Sequence, residues 1–271
     1  MAIVFKVKPW YKKSSGPTYQ GIWVPKTWGE LTDYIGNRVW TDGTNIYCSD
    51  GTWMEQYVLD KSTSTWMAKT WSGIDYLSGL RIWTDGENIY YSDTTEHYVL
   101  DKATSTWSRK TWSGLSNFSG NSIWTDGTNI YYSATTSQYV LDIANSIWQS
   151  KAWTGLSNFS GTMVWTDGTN IYANRNGTTS TTLYSKVLDV STSYWSNKTW
   201  SGLAKFNGNC IWTDGANIYY SNGADQYVLD KSTSTWSAQT WSGLTNFTAS
   251  YIWKDGDHIY YSYGENQYEL T

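Results

Sequence analysis

The sequence contains few of the residues from which reactive sites are built. Its 271 residues include 2 Cys, 2 His and 3 Pro. Two His cannot build a zinc site, and the cysteines show no metal-ligand spacing. We expect Cys48 and Cys210 to be free thiols. The composition therefore predicts no metal centre and no cofactor.

Long hydrophobic runs and strong charge are also missing. No apolar stretch approaches the roughly 20 residues needed to span a membrane. The N-terminus, MAIVFKVKPWYKK, has its apolar residues before its basic ones, which is not the order of a secretory signal. The net charge is −4, so no basic surface for a nucleic-acid backbone is expected. These absences predict a soluble protein made in the cytoplasm, without a nucleic-acid partner or membrane insertion.

Tryptophan, in contrast, is abundant and regularly spaced. Three Trp residues in each of six copies account for 18 of the 20 in the chain. Within a copy, the second Trp lies five residues and the third seventeen residues after the first. The copies begin at Trp23, Trp66, Trp107, Trp148, Trp195 and Trp236. A repeat of this length indicates a single array of similar structural units over residues 20–271.

Each repeat contains four short segments that are typical of β-strands. In one copy these are SIWT, NIYYS, QYVLD and a stretch from about Ile147 to Trp153, here called strands A, B, C and D. Aromatic and β-branched residues are enriched, Pro is nearly absent, and turn signals recur every 8–12 residues. Four strands in about 41 residues, six times over, predict an all-β, six-bladed β-propeller.

The two ends of the chain predict how the propeller closes. The repeat region begins with a strand D, residues 21–28, and finishes with strands A, B and C, residues 251–270. Joining them completes a sixth, four-stranded antiparallel blade and leaves no open edge. Residues 1–19 lie outside the repeat and form a basic N-terminal arm, which we consider a candidate contact for assembly into a larger complex.

The layout of segments such as DGTNIYYS and QYVLDKATSTW resembles that of the kelch-repeat family over residues 20–271. A kelch unit has an A strand that ends in an Asp-Gly-like turn, an apolar B strand, a Tyr-bearing C strand and a Trp-bearing D strand. The family's double Gly after strand B is missing here. The resemblance implies a propeller that serves as a protein-interaction module. Copies such as VLDKSTSTW also resemble repeats of bacterial and bacteriophage surface or virion proteins.

All variation in repeat length falls between strands B and C. These loops read SDGTWME, SDTTEH, SATTS, ANRNGTTSTTLYS, SNGAD and SYGEN. The fold does not require loops of unequal length, and loops on a rigid scaffold are the usual place for recognition. The candidate partner-binding residues are Asp50, Trp53, Glu55, His97, Arg175, Asn176, Tyr184, Tyr263 and Glu265.

The connections from strand D to the next strand A carry an aromatic residue or Leu at one position. These residues are Tyr34, Leu77, Phe118, Phe159, Phe206 and Phe247. They could pack between blades, or they could form stacking platforms for sugars. Trp53 has two readings as well, a binding anchor or local packing of a long loop, and Trp10 is expected to hold the N-terminal arm against the propeller.

The sequence does not support an enzyme. His97 and His258 belong to opposite faces of the predicted propeller, and neither has a nucleophile or carboxylate set around it. The repeated Asp residues belong to turns, where their side chains can hydrogen-bond nearby backbone. No catalytic residue is therefore predicted.

The sequence favours a non-enzymatic binding or scaffold protein that presents its B–C loops to a protein or a cell-surface glycan. Its repeats suggest a phage virion or host-attachment component. The alternatives are a multivalent lectin with sugar sites between blades and an engineered repeat protein. The irregular arm, the long fourth loop and the two unevenly placed cysteines argue against engineering.

Overall fold

The computed structural model describes residues 19–31, 38–49, 55–74, 77, 82–93, 95–115, 117–118, 122–134, 136–156, 158–159, 162–175, 184–203, 210–247, 252–263 and 266–271. In these ranges all regular secondary structure is β-strand. The strands form six four-stranded antiparallel sheets, which are the blades of a six-bladed β-propeller. The predicted fold is confirmed. The proposed N-terminal arm, including Trp10, lies outside the described residues except for Tyr19.

The strand bounds repeat from blade to blade. Blade 1 contains β2 (Arg38–Thr41), β3 (Ile46–Ser49), β4 (Gln56–Asp60) and β5 (Thr65–Ala68). Blade 2 contains β6 (Ile82–Thr84), β7 (Ile89–Ser92), β8 (His97–Asp101) and β9 (Thr106–Arg109). Blade 3 contains β10 (Ser122–Thr125), β11 (Ile130–Ser133), β12 (Gln138–Asp142) and β13 (Ile147–Ser150).

The remaining blades follow the same order, except that the last uses the N-terminal strand. Blade 4 contains β14 (Thr162–Thr166), β15 (Ile171–Arg175), β16 (Tyr184–Asp189) and β17 (Tyr194–Asn197). Blade 5 contains β18 (Cys210–Thr213), β19 (Ile218–Asn222), β20 (Asp225–Asp230) and β21 (Thr235–Ala238). Blade 6 contains β22 (Ile252–Asp255), β23 (His258–Tyr263), β24 (Asn266–Leu270) and, as its strand D, β1 (Trp23–Pro25).

The N-terminal strand completes blade 6, as the sequence predicts. Strand β1 pairs antiparallel with β24, with Trp23 opposite Leu270 and Pro25 opposite Tyr268. The backbone N–H groups of Gln20 and Gly21 also donate to the carbonyl of Thr271, at 2.7 and 3.1 Å. Pro25 is tolerated because β1 is an edge strand, where a missing N–H breaks no ladder.

The described residues divide into two units. Blades 1, 2 and 6 belong to the unit formed by residues 16–110 and 240–271, and blades 3, 4 and 5 belong to Thr111–Gln239. The same packing recurs in both. Each copy of the sequence repeat therefore forms blades with the same internal packing in both units.

The turns between strands A and B are built around one carboxylate. In blade 3, Asp126 Oδ1 accepts from the backbone N–H groups of Thr128 (2.8 Å) and Asn129 (2.6 Å), and Oδ2 accepts from the Tyr131 hydroxyl at 2.8 Å. Burial opposes the ionisation of Asp126, but these hydrogen bonds outweigh it and hold its pKa below the usual value. Asp42, Asp85, Asp167 and Asp214 accept the same bonds.

Tryptophan fills the spaces between neighbouring blades. One core cluster joins Trp124 of strand A and Tyr131 of strand B in blade 3 to Trp195 of strand D in blade 4. Trp153 and Phe159, from the connection between these blades, complete it. Equivalent clusters surround Trp236 in blade 5 and Trp66 in blade 1. In these three clusters, strands A and B of one blade and the connection that follows it pack against the strand D Trp of the next blade.

Strand D is shorter than the sequence suggests. Strand β13 ends at Ser150, and Trp153 belongs to the connection instead of the sheet. The connection then forms an isolated parallel bridge with strand D of the next blade, as in Thr154 with Tyr194. This pairing covers the start of the outer strand of each blade, where backbone groups would otherwise be unpaired.

Candidate binding face

The structure describes some of the candidate residues of the B–C loops and not others. Asp50, Trp53, Asn176 and Glu265 lie outside them. Arg175 and Tyr184 are the last residue of β15 and the first of β16, and they pair across the two strands. The structure thus brings these two positions together by extending strands B and C of blade 4.

Two further candidates are accessible at this face. Glu55 is exposed and accepts a hydrogen bond from the Tyr57 hydroxyl at 2.8 Å. Tyr263 ends β23, opposite Asn266, and is 36% exposed. A third, His97, is 9% exposed because it is the first residue of β8 and its side chain points into the blade. Little of the His97 side chain is therefore exposed at this face, and its part in recognition stays a prediction.

The position of His97 belongs to a set of buried polar positions near the start of strand C, below the B–C loop, which join a hydrogen-bonded chain in blade 1. In blade 1 the indole N–H of Trp40 donates to Ser49 Oγ at 2.9 Å, and Ser49 Oγ donates to Gln56 Oε1 at 2.5 Å. The Trp–Ser bond recurs at Trp83, Trp124, Trp212 and Trp253. The buried residues equivalent to Gln56 are His97, Gln138, Ser185, Gln226 and Gln267. Sequence reasoning missed this chain, although its residues recur in step with the Trp.

Blade 4 carries the same chain with its two polar groups exchanged between strands. Asn174 occupies the strand B position and Ser185 the strand C position, and both are buried. With its amide oriented to satisfy both neighbours, Asn174 accepts from Trp165 Nε1 at 2.9 Å and donates to Ser185 Oγ at 2.9 Å. The same space therefore accepts the amide on strand B with the hydroxyl on strand C, or the reverse arrangement.

Exchanging the pair in blade 4 tests this arrangement. Asn174→Ser alone should lose the contact with Ser185, and Ser185→Gln alone should place two amides in the space of one. We expect each single change to lower the free energy of unfolding by about 1–2 kcal/mol. The double variant, which restores the order of the other blades, should recover at least about 1 kcal/mol in a denaturant-melt double-mutant cycle. Strict additivity would contradict the exchange.

His97 makes the fold sensitive to acid. Burial lowers the pKa of its imidazole from 6.5 to about 4, against the opposing charges of Asp93 and Glu96. The unfolded chain therefore takes up a proton near pH 6.5, whereas the folded chain does so near pH 4. The contribution of His97 to stability is present above pH 6.5 and is lost as the pH falls towards 4.

We expect His97→Gln to remove this part of the acid response. Between pH 7 and pH 5, wild type should lose about 2 kcal/mol more unfolding free energy than the variant. The contribution of the carboxylates to the acid response is present in both proteins, so it cancels in the difference between the two curves. Guanidinium melts at a series of pH values give both curves, and parallel curves would show that His97 does not titrate in this window.

At the four described positions, the D–A connections supply packing residues and not sugar platforms. Among the described members of the set, Leu77, Phe118, Phe159 and Phe247 are at most 4% exposed. Phe118 lies 4.8 Å from the ring of Tyr132, and Phe159 lies 5.9 Å from that of Trp195. These side chains cannot stack on a sugar. Tyr34 and Phe206 lie outside the described residues.

Within the described ranges, no three His, Cys, Asp or Glu side chains are grouped as metal ligands. Cys48 is buried, and the side chain of Cys210 is not described. His258 lies at the A–B end of blade 6, where its Nδ1 is 2.6 Å from Glu269. A shallow depression of about 500 Å³ beside Glu87 and Lys102 lies at the same end of blade 2.

The fold and this face define a six-bladed, tryptophan-rich β-propeller with one variable end to each blade. No family model matches the chain, and no curated protein matches it either. In the part of the chain that the structure describes, no helix is long and apolar enough to cross a membrane.

Proposed function

We propose that this protein is a non-enzymatic binding platform and that the B–C end of its blades is the recognition surface. One observation carries the proposal. The A–B turns, the C–D turns and the D–A bridges are repeated with the same bonds in most blades, whereas the B–C loops differ in length and residues. Variation confined to one end of a rigid repeat supports recognition there.

The biological setting that fits this proposal best is attachment to a cell or assembly into a virion. The support is the resemblance of the repeats to kelch units and to repeats of bacterial and bacteriophage surface proteins. The Trp-rich clusters between blades 3 and 4, blades 4 and 5, and blades 6 and 1 support a rigid base for such contacts. The proposed partner is a protein or a cell-surface glycan.

Loop replacement tests the proposed surface. One variant carries Trp53→Ser, and a second replaces residues 175–184 by the shorter loop of blade 3. A matched control carries Thr128→Ala in an exposed A–B turn. Binding to intact bacterial cells and to a glycan array should fall at least about tenfold in the loop variants, as expected for the loss of an anchor, with an unchanged melting temperature. Loss of binding in the Thr128 variant alone would place the surface at the opposite end.

A further inference from the structure

The first strand C tyrosine of each blade is the starting point, because it lies directly after the variable loop. Five blades carry it, as Tyr57, Tyr98, Tyr139, Tyr227 and Tyr268. All except Tyr98 are partly exposed. In blades 3, 5 and 6 the ring packs about 6 Å from the strand B tyrosine, and the hydroxyl makes no hydrogen bond to the described residues. In these three blades the ring is therefore fixed by packing, and its hydroxyl is able to bind a ligand.

The residue opposite on strand D decides whether the ring is open. Tyr57 pairs with Ala68, Tyr139 with Ser150, Tyr227 with Ala238 and Tyr268 with Pro25, all of which are small. Blade 2 differs, because Tyr98 pairs with Arg109. Blade 4 has no tyrosine at this position, and its Lys186 donates to Asn197 Oδ1 at 2.7 Å. Four blades therefore leave space beside the ring, blade 2 fills that space, and blade 4 has no ring.

Blade 2 shows what the space accepts. The guanidinium of Arg109 lies 5.9 Å from the centre of the Tyr98 ring and donates to Glu96 Oε1 at 2.5 Å. Tyr98 is 8% exposed as a result. A flat side chain rich in hydrogen-bond donors thus covers the ring and bonds the acidic residue two positions before it.

Blades 1, 3, 5 and 6 have a polar residue at the position of Glu96 but no residue equivalent to Arg109 over the ring. The residues two positions before the tyrosine are Glu55, Ser137, Asp225 and Asn266, and all four are exposed. Residues two apart on a strand point to the same face, and the bond from Tyr57 to Glu55 shows this directly in blade 1. Each open blade therefore combines a partly exposed aromatic ring with a hydrogen-bond acceptor two positions before it.

We propose that Tyr57, Tyr139, Tyr227 and Tyr268 are stacking sites for neutral hexopyranose units of a glycan, an inference that rests on the proposed binding role of this face. A pyranose offers C–H groups to the negative face of an aromatic ring and hydroxyl donors to the neighbouring acceptor. The net charge of −4 and the carboxylates at two sites disfavour anionic sugars. Four similar single-ring sites suit a repeating ligand, since linked weak sites gain affinity by multivalency.

The test uses methyl glycosides of glucose, galactose, N-acetylglucosamine and N-acetylgalactosamine, free and coupled to a polymer. Saturation-transfer NMR at about 10 mM detects sites with millimolar Kd. The variant with all four tyrosines replaced by Ala should bind the polymer at least about 100-fold more weakly than wild type. Arg109→Ala should uncover Tyr98 and increase polymer binding severalfold.

Tyr98→Ala is the matched control, because it removes the same ring from the same register where Arg109 covers it. It should leave sugar binding unchanged, whereas Tyr139→Ala should weaken it at an unchanged melting temperature. Equal effects of these two variants would overturn the inference and assign the tyrosines a packing role. So would the absence of any signal from the free glycosides. Partner binding that depends on Trp53 but not on the tyrosines would overturn it too, while leaving the proposed function in place.

Discussion

Replacing Trp195 by Ala should lower the free energy of unfolding by about 3–5 kcal/mol. Its side chain is fully buried, and its ring lies 6.0 Å from Trp124, 6.2 Å from Trp153 and 5.9 Å from Phe159. Two blades and their connection contribute to this cluster, so backbone shifts cannot readily close the cavity. Guanidinium unfolding, followed by far-UV circular dichroism, measures the loss.

The neighbouring residue provides the control. Tyr194 is 48% exposed, and Tyr194→Ala should change the unfolding free energy by less than about 1 kcal/mol. Trp195→Phe should fall between the two, because a smaller ring fills part of the space. A loss at Trp195 no larger than that at Tyr194 would contradict the assignment of this Trp to a tightly packed cluster.

Gly202→Ala should lower the free energy of unfolding by about 3 kcal/mol. The loss comes from backbone strain and not from a cavity in the core. Gly202 has φ of 77°, a region that L side chains rarely adopt. A Cβ placed there would lie 1.9 Å from the Trp236 carbonyl oxygen, so the connection or strand D of blade 5 must move. Differential scanning calorimetry should show a lower melting temperature for this variant.

The first repeat provides the opposite experiment. Its connection reads WGE where the others read WSG or WTG, and Glu30 takes the left-handed conformation with φ of 70°. The bonds around it are kept, since Trp66 donates to the Gly29 carbonyl as Trp236 donates to that of Ser201. Glu30→Gly should therefore stabilise the protein by about 0.5–1 kcal/mol. A loss of stability would show that the Glu30 side chain contributes a contact of its own.

Much of the fold could be predicted because the number of residues between the repeated Trp residues fixes the lengths of strands and connections. Equal spacing from Trp148 to Trp153 and Trp165 requires the same strand and connection lengths in every copy, and the leftover strands at the two ends require closure. The placement of Trp153 was wrong in one respect, as it lies in the connection and not in strand D. Alternation alone does not show where a strand leaves its sheet.

The candidate site was harder to predict, because exposure depends on neighbours that are distant in sequence. His97 belongs to a variable loop by its position but is buried opposite Ser92. The proposed sugar residues show the converse. Tyr57 and Tyr98 occupy the same place in the repeat, and the strand D residue eleven positions later makes one partly exposed and the other buried.

The sequence by itself determined the number of blades, the four strands of each and the closure by the N-terminal strand. These features follow from local spacing and from the side-chain periods of strands and turns. Only the tertiary structure decided which aromatic rings are core and which remain open. Burial is set by the packing of side chains across strands, as Ala68 beside Tyr57 and Arg109 over Tyr98 illustrate.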